Sequence, residues 1–123
     1  YELPHAPVVF ELNLHALLER PVPAASPLPR QQSALRDLAL MVGEGVTHDA
    51  LISALEDDAT GLVRSAQLFD LYKPQGIDSH QRSMAVRLEL RDDKATLTDE
   101  RIDAAMQQAI ERATSRLGAR LRA

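Results

Sequence analysis

Asp70 and Tyr72 stand two residues apart in the run Phe69-Asp70-Leu71-Tyr72, and they are the pair in this chain best suited to act on another molecule. If the run is a strand, period two sends Asp70 and Tyr72 to one side and Phe69 and Leu71 to the other. Phe69 and Leu71 suit a core. The other pair sets an exposed ring beside an exposed acid, an arrangement that can hold a nucleobase. The ring offers a face to stack on, and the carboxylate accepts hydrogen bonds from an N–H edge of guanine type. The plainer alternative is an edge strand with a half-buried tyrosine, since single exposed aromatics are ordinary. The chain has two Tyr, two Phe and no Trp, so half of its aromatic residues fall within these four positions.

Other chemistry is sparse. There is no G-x-x-x-x-G-K-[ST] phosphate loop and no G-x-G-x-x-G. His5, His15, His48 and His80 have no metal-ligand spacing and read as solvated or capping residues. Asp57-Asp58 and Asp92-Asp93 read as solvated helix-end and turn residues, and Arg36-Asp37 as a local surface ion pair of little weight. With no cysteine, disulfides, iron–sulfur clusters and cysteine-rich zinc sites are excluded. No catalytic residue and no metal ligand is therefore assigned.

A chain of 123 residues makes one domain, or a small domain plus a fragment, and 45% apolar residues suffice for an aliphatic core. No apolar run approaches the ~18 residues of a membrane span, and these residues show no basic-plus-apolar signal pattern. The net charge of −4 argues against a general nucleic-acid binder, but its distribution is uneven. Val46–Ala59 carries Asp49, Glu56, Asp57 and Asp58 without a cation, whereas the C-terminus carries Arg116, Arg120 and Arg122 without an acid. One face meeting an anion and the opposite one meeting water would produce this polarity, as would ordinary surface scatter.

The elements that must position the pair follow from periodicity. Pro21, Pro23, Pro27 and Pro29 make an extended linker. Before it, Val8–Leu14 reads as a strand and His15–Arg20 as a short helix. Residues 1–29 are thus expected to be the end of a preceding domain plus linker, and residues 30–123 the main domain. Within it, Leu38–Val42 is a strand. A helix capped by Thr47 follows, with Val46 and Leu51 as its hydrophobic staple. Val63–Tyr72 and Ser83–Arg91 are strands joined by the polar loop 73–81. Met84, Val86, Leu88 and Leu90 line one face of the latter. A second helix runs from Thr98 to a Gly118 cap, and Ala119–Arg122 makes a last short strand with Leu121 inward. This β-α-β-β-α-β order predicts a ferredoxin-like α+β fold, a four-stranded antiparallel sheet with both helices on one face. Parity then gathers Asp70, Tyr72, Ser83, Ala85 and Arg87, with Arg120 and Arg122, on the open face. Lys73, Arg82, Arg87, Arg120 and Arg122 could meet phosphates.

With these residues in place, the chain resembles the C-terminal region of the bacterial phenylalanyl-tRNA synthetase beta chain family, which carries a ferredoxin-fold anticodon-binding domain. The motifs are Arg36-Asp37-Leu38-Ala39-Leu40, Phe69-Asp70-Leu71-Tyr72, Arg82-Ser83-Met84-Ala85, Thr96-Leu97-Thr98-Asp99-Glu100 and Leu121-Arg122; each is short, and their order carries the match. Val8–Leu12 resembles the last strand of the synthetase-like core domain that precedes it. Gln31-Gln32 departs from the family's common Phe-Pro, and Lys73-Pro74 from its usual loop. The resemblance implies anticodon contacts by Asp70, Tyr72 and Ser83 to a first-position guanine. It further implies a cytoplasmic α2β2 parent ligase that charges tRNA(Phe) using ATP and Mg2+, with catalysis in the alpha subunit. The expected partners are the tRNA(Phe) anticodon loop and that alpha subunit, not a membrane. An ACT-like small-molecule-binding regulatory module is the alternative, since such modules share this element order.

Overall fold

The computed structural model describes residues 4–25, 28, 31–73 and 80–122. Its elements run α1 (Leu14–Leu18), β1 (Ala34–Gly43), α2 (His48–Glu56), β2 (Val63–Tyr72), β3 (Gln81–Leu90), α3 (Asp99–Leu117) and β4 (Arg120–Leu121). The strands form one sheet in the order β2-β3-β1-β4, and every neighbouring pair is antiparallel. This is the expected ferredoxin-like α+β fold.

Alternation decides the faces. Leu38, Leu40 and Val42 of β1 and Met84, Val86, Leu88 and Leu90 of β3 are buried, and they share a core with Leu51 and Leu55 of α2. Ala105, Ala109 and Ala113 recur every fourth residue along α3, so its inner stripe is small and its backbone can approach closely. Both helices therefore cover the face carrying the even-numbered residues of β1 and β3. The odd-numbered residues, from Leu35 to Met41 and from Ser83 to Glu89, lie on the helix-free face.

Local chemistry fixes the joints. The Thr47 hydroxyl accepts the Ala50 N–H at 3.2 Å and caps α2. Gly118, at φ 63°, closes α3 with its N–H on the Thr114 carbonyl, and the Ala119 N–H reaches the Ala113 carbonyl. The α2–β2 turn is organised by Asp58, whose side chain is only 1% exposed. Its carboxylate accepts the N–H of Leu62 at 2.8 Å and of Val63 at 3.0 Å, and the Thr60 hydroxyl at 2.6 Å. Asp58 is thus a sequestered hub rather than the solvated helix-end residue expected. Burial pushes its carboxyl up, but the Thr60 hydroxyl and the backbone N–H donors outweigh that and hold it below its ordinary value.

Two expectations fail ahead of the sheet. Val8–Asn13 is not a strand, and the short helix starts at Leu14, where the Asn13 side chain accepts the His15 N–H at 2.9 Å. A strand needs a partner, and Val8, Val9, Phe10 and Leu12 are exposed with none among the described residues. The linker expected over Pro21–Pro29 is irregular at 21–25 and 28, and its other residues lie outside the described ones, as does 74–79 of the β2–β3 loop. No helix among the described residues is long and apolar enough to cross a membrane.

Candidate nucleic-acid interface

The helix-free face is built in rows across the four strands. Tyr72 of β2 opposes Ser83 of β3, Ser83 opposes Met41 of β1, and Met41 opposes Arg120 of β4. In the next row Asp70 opposes Ala85, Ala85 opposes Ala39, and the Arg122 N–H donates to the Ala39 carbonyl at 2.8 Å. Two alanines therefore floor the centre of the face, between an aromatic and acidic side on β2 and an arginine side on β4.

Tyr72, Asp70 and Ser83 do come together, as parity predicts. The route differs. The β2–β3 register shifts between Val63 and Ser65 and again between Leu68 and Asp70, so β2 carries two irregularities. Each shift reverses the alternation, and the second restores what the first changed. Asp70 and Tyr72 consequently end on the expected side, but Phe69 does not. It lies within the second register shift, and its ring meets Arg87 on the helix-free face, 5.3 Å from guanidinium carbon to ring centroid. The inward position expected for Phe69 is corrected accordingly. Leu71 lies on the helix side, opposite Met84, but beyond the cover of the helices, and is exposed.

Ser83 is on the right face and yet only 3% exposed, while Tyr72 is 48% exposed. The guanidinium of Arg122 lies 5.1 Å from the Tyr72 ring centroid. Since β4 and β2 are the two outer strands, this pair spans the inner strands on the helix-free face.

The cations are not equivalent. Arg87 donates from Nε and Nη2 to the two Asp37 oxygens, each at 2.7 Å, and the bidentate pair holds Asp37 below its ordinary carboxylate value. Asp37 thus pairs across strands, not with Arg36, which lies on the helix side near Asp99. Arg120 reaches the Gln81 side chain at 3.3 Å. Lys73 is drawn away to Glu44 at 2.6 Å, and its hydrogen bond holds the Glu44 carboxyl low. Arg82 opposes the core residue Val42, and its guanidinium bonds the Val46 carbonyl at the entry to α2. Lys73 and Arg82 therefore stand apart from the face. On it, Arg87 is already paired with Asp37; Asp70 on β2 and Glu89 on β3 carry negative charge, and Arg120 and Arg122 carry positive charge on the β4 side.

Sequence reasoning missed the Phe69–Arg87–Asp37 assembly and the Arg122–Tyr72 arch. No regular-strand pattern announces the bulge that turns Phe69 out, and Asp37 and Arg87 are fifty positions apart. Among the described residues no group of three or more His, Asp or Glu is placed to hold a metal ion.

Comparison with known proteins bears on this face. The family model described as "Ferredoxin-fold anticodon binding domain" matches residues 29–122. The chain is 38% identical over 123 residues to the phenylalanine–tRNA ligase beta subunit of Dechloromonas aromatica, covering 100% of this chain and 16% of that protein. It is 42% identical over 122 residues to the same subunit of Chromobacterium violaceum, covering 99% of this chain and 15% of that protein. A third relative, from Burkholderia pseudomallei, is 40% identical over 131 residues, covering 99% of this chain and 16% of that protein. The chain thus spans about one-sixth of the length of these relatives.

Proposed function

The chain belongs to the ferredoxin-fold anticodon-binding domain family, and from that premise we propose that its helix-free face binds the anticodon loop of a tRNA, as part of a phenylalanine–tRNA ligase beta subunit. The observation that carries this reading is the row in which Tyr72 opposes Ser83, with Asp70 one row away on the same face. A loop base stacks on the Tyr72 ring, while the Asp70 carboxylate and the Ser83 hydroxyl read its edge. Asp70 sits away from the phosphates, because Arg120 and Arg122, which have no carboxylate partner among the described residues, lie at the opposite edge. Arg120 and Arg122 take the backbone, and the base enters from the β4 side towards β2.

Guanine at the first anticodon position is the base we assign, because its N–H edge donates to a carboxylate. The parent ligase would charge tRNA(Phe) in the cytoplasm, with ATP and Mg2+ and with its alpha subunit, through residues outside this chain. The exposed Val8, Val9, Phe10 and Leu12 fit an assignment of residues 1–29 to the end of a preceding synthetase-like domain plus linker, and of residues 30–123 to the anticodon-binding domain.

The test is a titration of the 123-residue chain with an anticodon stem-loop bearing guanine at the first position, against free phenylalanine. Saturable stem-loop binding without phenylalanine binding supports the reading. Phenylalanine binding with concentration-dependent dimers, and no stem-loop binding, would favour an ACT-like regulatory module instead.

A further inference from the structure

Phe69 is the aromatic residue that the fold turns outward against the strand's own period. It lies in the register shift between Leu68, which opposes Val86, and Asp70, which opposes Ala85, so β2 carries an extra side chain at this point. The ring is 53% exposed even with Arg87 over it. A lone exposed phenylalanine needs no explanation. This one is backed by a planar cation that is itself fixed. Two 2.7 Å bonds to Asp37 immobilise the Arg87 guanidinium, so the orientation of the ring's neighbour is set before anything binds. The contrast is with Arg122, which covers Tyr72 without a carboxylate partner among the described residues.

Spacing defines what such a ring can take. Phe69 and Tyr72 are three positions apart on one strand, at most ~10 Å at ~3.3 Å per residue. Stacked neighbours in a nucleic acid repeat at ~3.4 Å. Two rings set three strand positions apart suit bases splayed from a single-stranded loop. Ala85 and Ala39 leave the floor beside them low.

We propose that Phe69 is a second base-stacking residue of this face, taking a splayed loop nucleotide beside the one held at Tyr72, with Arg87 and Asp37 as its positioning residues. The inference rests on the anticodon-loop reading. It also changes the part of Arg87, whose charge is spent on Asp37 and serves the ring rather than a phosphate.

The experiment uses the 123-residue chain and a set of anticodon stem-loops, each with the fluorescent base 2-aminopurine at one loop position. Stacking on an aromatic ring quenches that base. Wild-type protein is expected to quench at two loop positions. Phe69→Leu keeps apolar bulk at an exposed site but removes the π face. It should restore fluorescence at one position and weaken binding by about tenfold. Tyr72→Leu should restore the other position. Arg87→Gln should reduce quenching at the Phe69 position alone, with the salt dependence of binding unchanged. Wild-type-like binding and quenching by Phe69→Leu, with Tyr72→Leu impaired, would overturn the inference and leave the anticodon-loop reading standing; the exposed ring would then await a protein surface. Uniform weakening by Phe69→Leu without any position-specific change would also overturn it, as a structural role. Absence of stem-loop binding by the wild type would overturn both.

Discussion

Arg122 holds its guanidinium 5.1 Å from the centre of the Tyr72 ring, joining the two outer strands across the face that also carries Ser83. The last strand is only two residues long, and it brings this arginine to Tyr72 from the far edge of the sheet. Because no carboxylate among the described residues holds Arg122, its charge remains available to a phosphate. Arg122→Ala should weaken binding to every stem-loop sequence alike. The slope of log affinity against log salt should fall by about 0.7, the loss of one phosphate contact on a single strand. Titrations at two salt concentrations check this.

Arg82 gives the opposite expectation. Its guanidinium is tied to the Val46 carbonyl on the helix side, away from the helix-free face. Arg82→Ala should leave stem-loop affinity and its salt slope unchanged within error. It should instead lower the midpoint of denaturant unfolding, since the entry to α2 loses a side-chain hydrogen bond worth about 1–3 kcal/mol to a charged donor.

Asp58 predicts an acid-sensitive joint. Removing its carboxylate strands the part-buried N–H groups of Leu62 and Val63, so Asp58→Ala should destabilise the chain by about 1–3 kcal/mol. The folded state holds this carboxyl below its unfolded value. Its contribution is complete above the ordinary carboxylate range, near pH ~4, and is lost as the pH falls through the folded value. Denaturant unfolding between pH 7 and pH 3 should show a shallower loss of stability in Asp58→Ala than in the wild type.

The fold was legible because each local signal agreed with its neighbours. Thr47, Gly118 and the alternation Met84–Leu90 each specify an element without reference to the rest, and the core they imply is the one that forms. The face was legible in part. Ser83 and Arg87 sit on a regular strand, so period two places them directly. Tyr72 and Asp70 sit on a strand with two irregularities, and their side came out as expected because one shift offsets the other. Phe69 lies inside the second irregularity, where alternation has no authority. The roles of the cations depended on partners remote in sequence, Asp37 for Arg87 and Glu44 for Lys73, and no spacing rule reaches that far. Val8–Leu14 reads as a strand by composition, but a strand exists only when another pairs with it.

The claim at the centre is that Asp70 and Tyr72 read one base together, the ring by stacking and the acid by its edge. The direct measurement is the affinity of wild-type, Tyr72→Ala and Asp70→Ala chains for two stem-loops that differ only in guanine or adenine at the first anticodon position. Tyr72→Ala should weaken both by about 1–3 kcal/mol. Asp70→Ala should bring the guanine-to-adenine affinity ratio close to one while changing adenine binding little. Folded variants that bind both stem-loops as the wild type does would contradict the account.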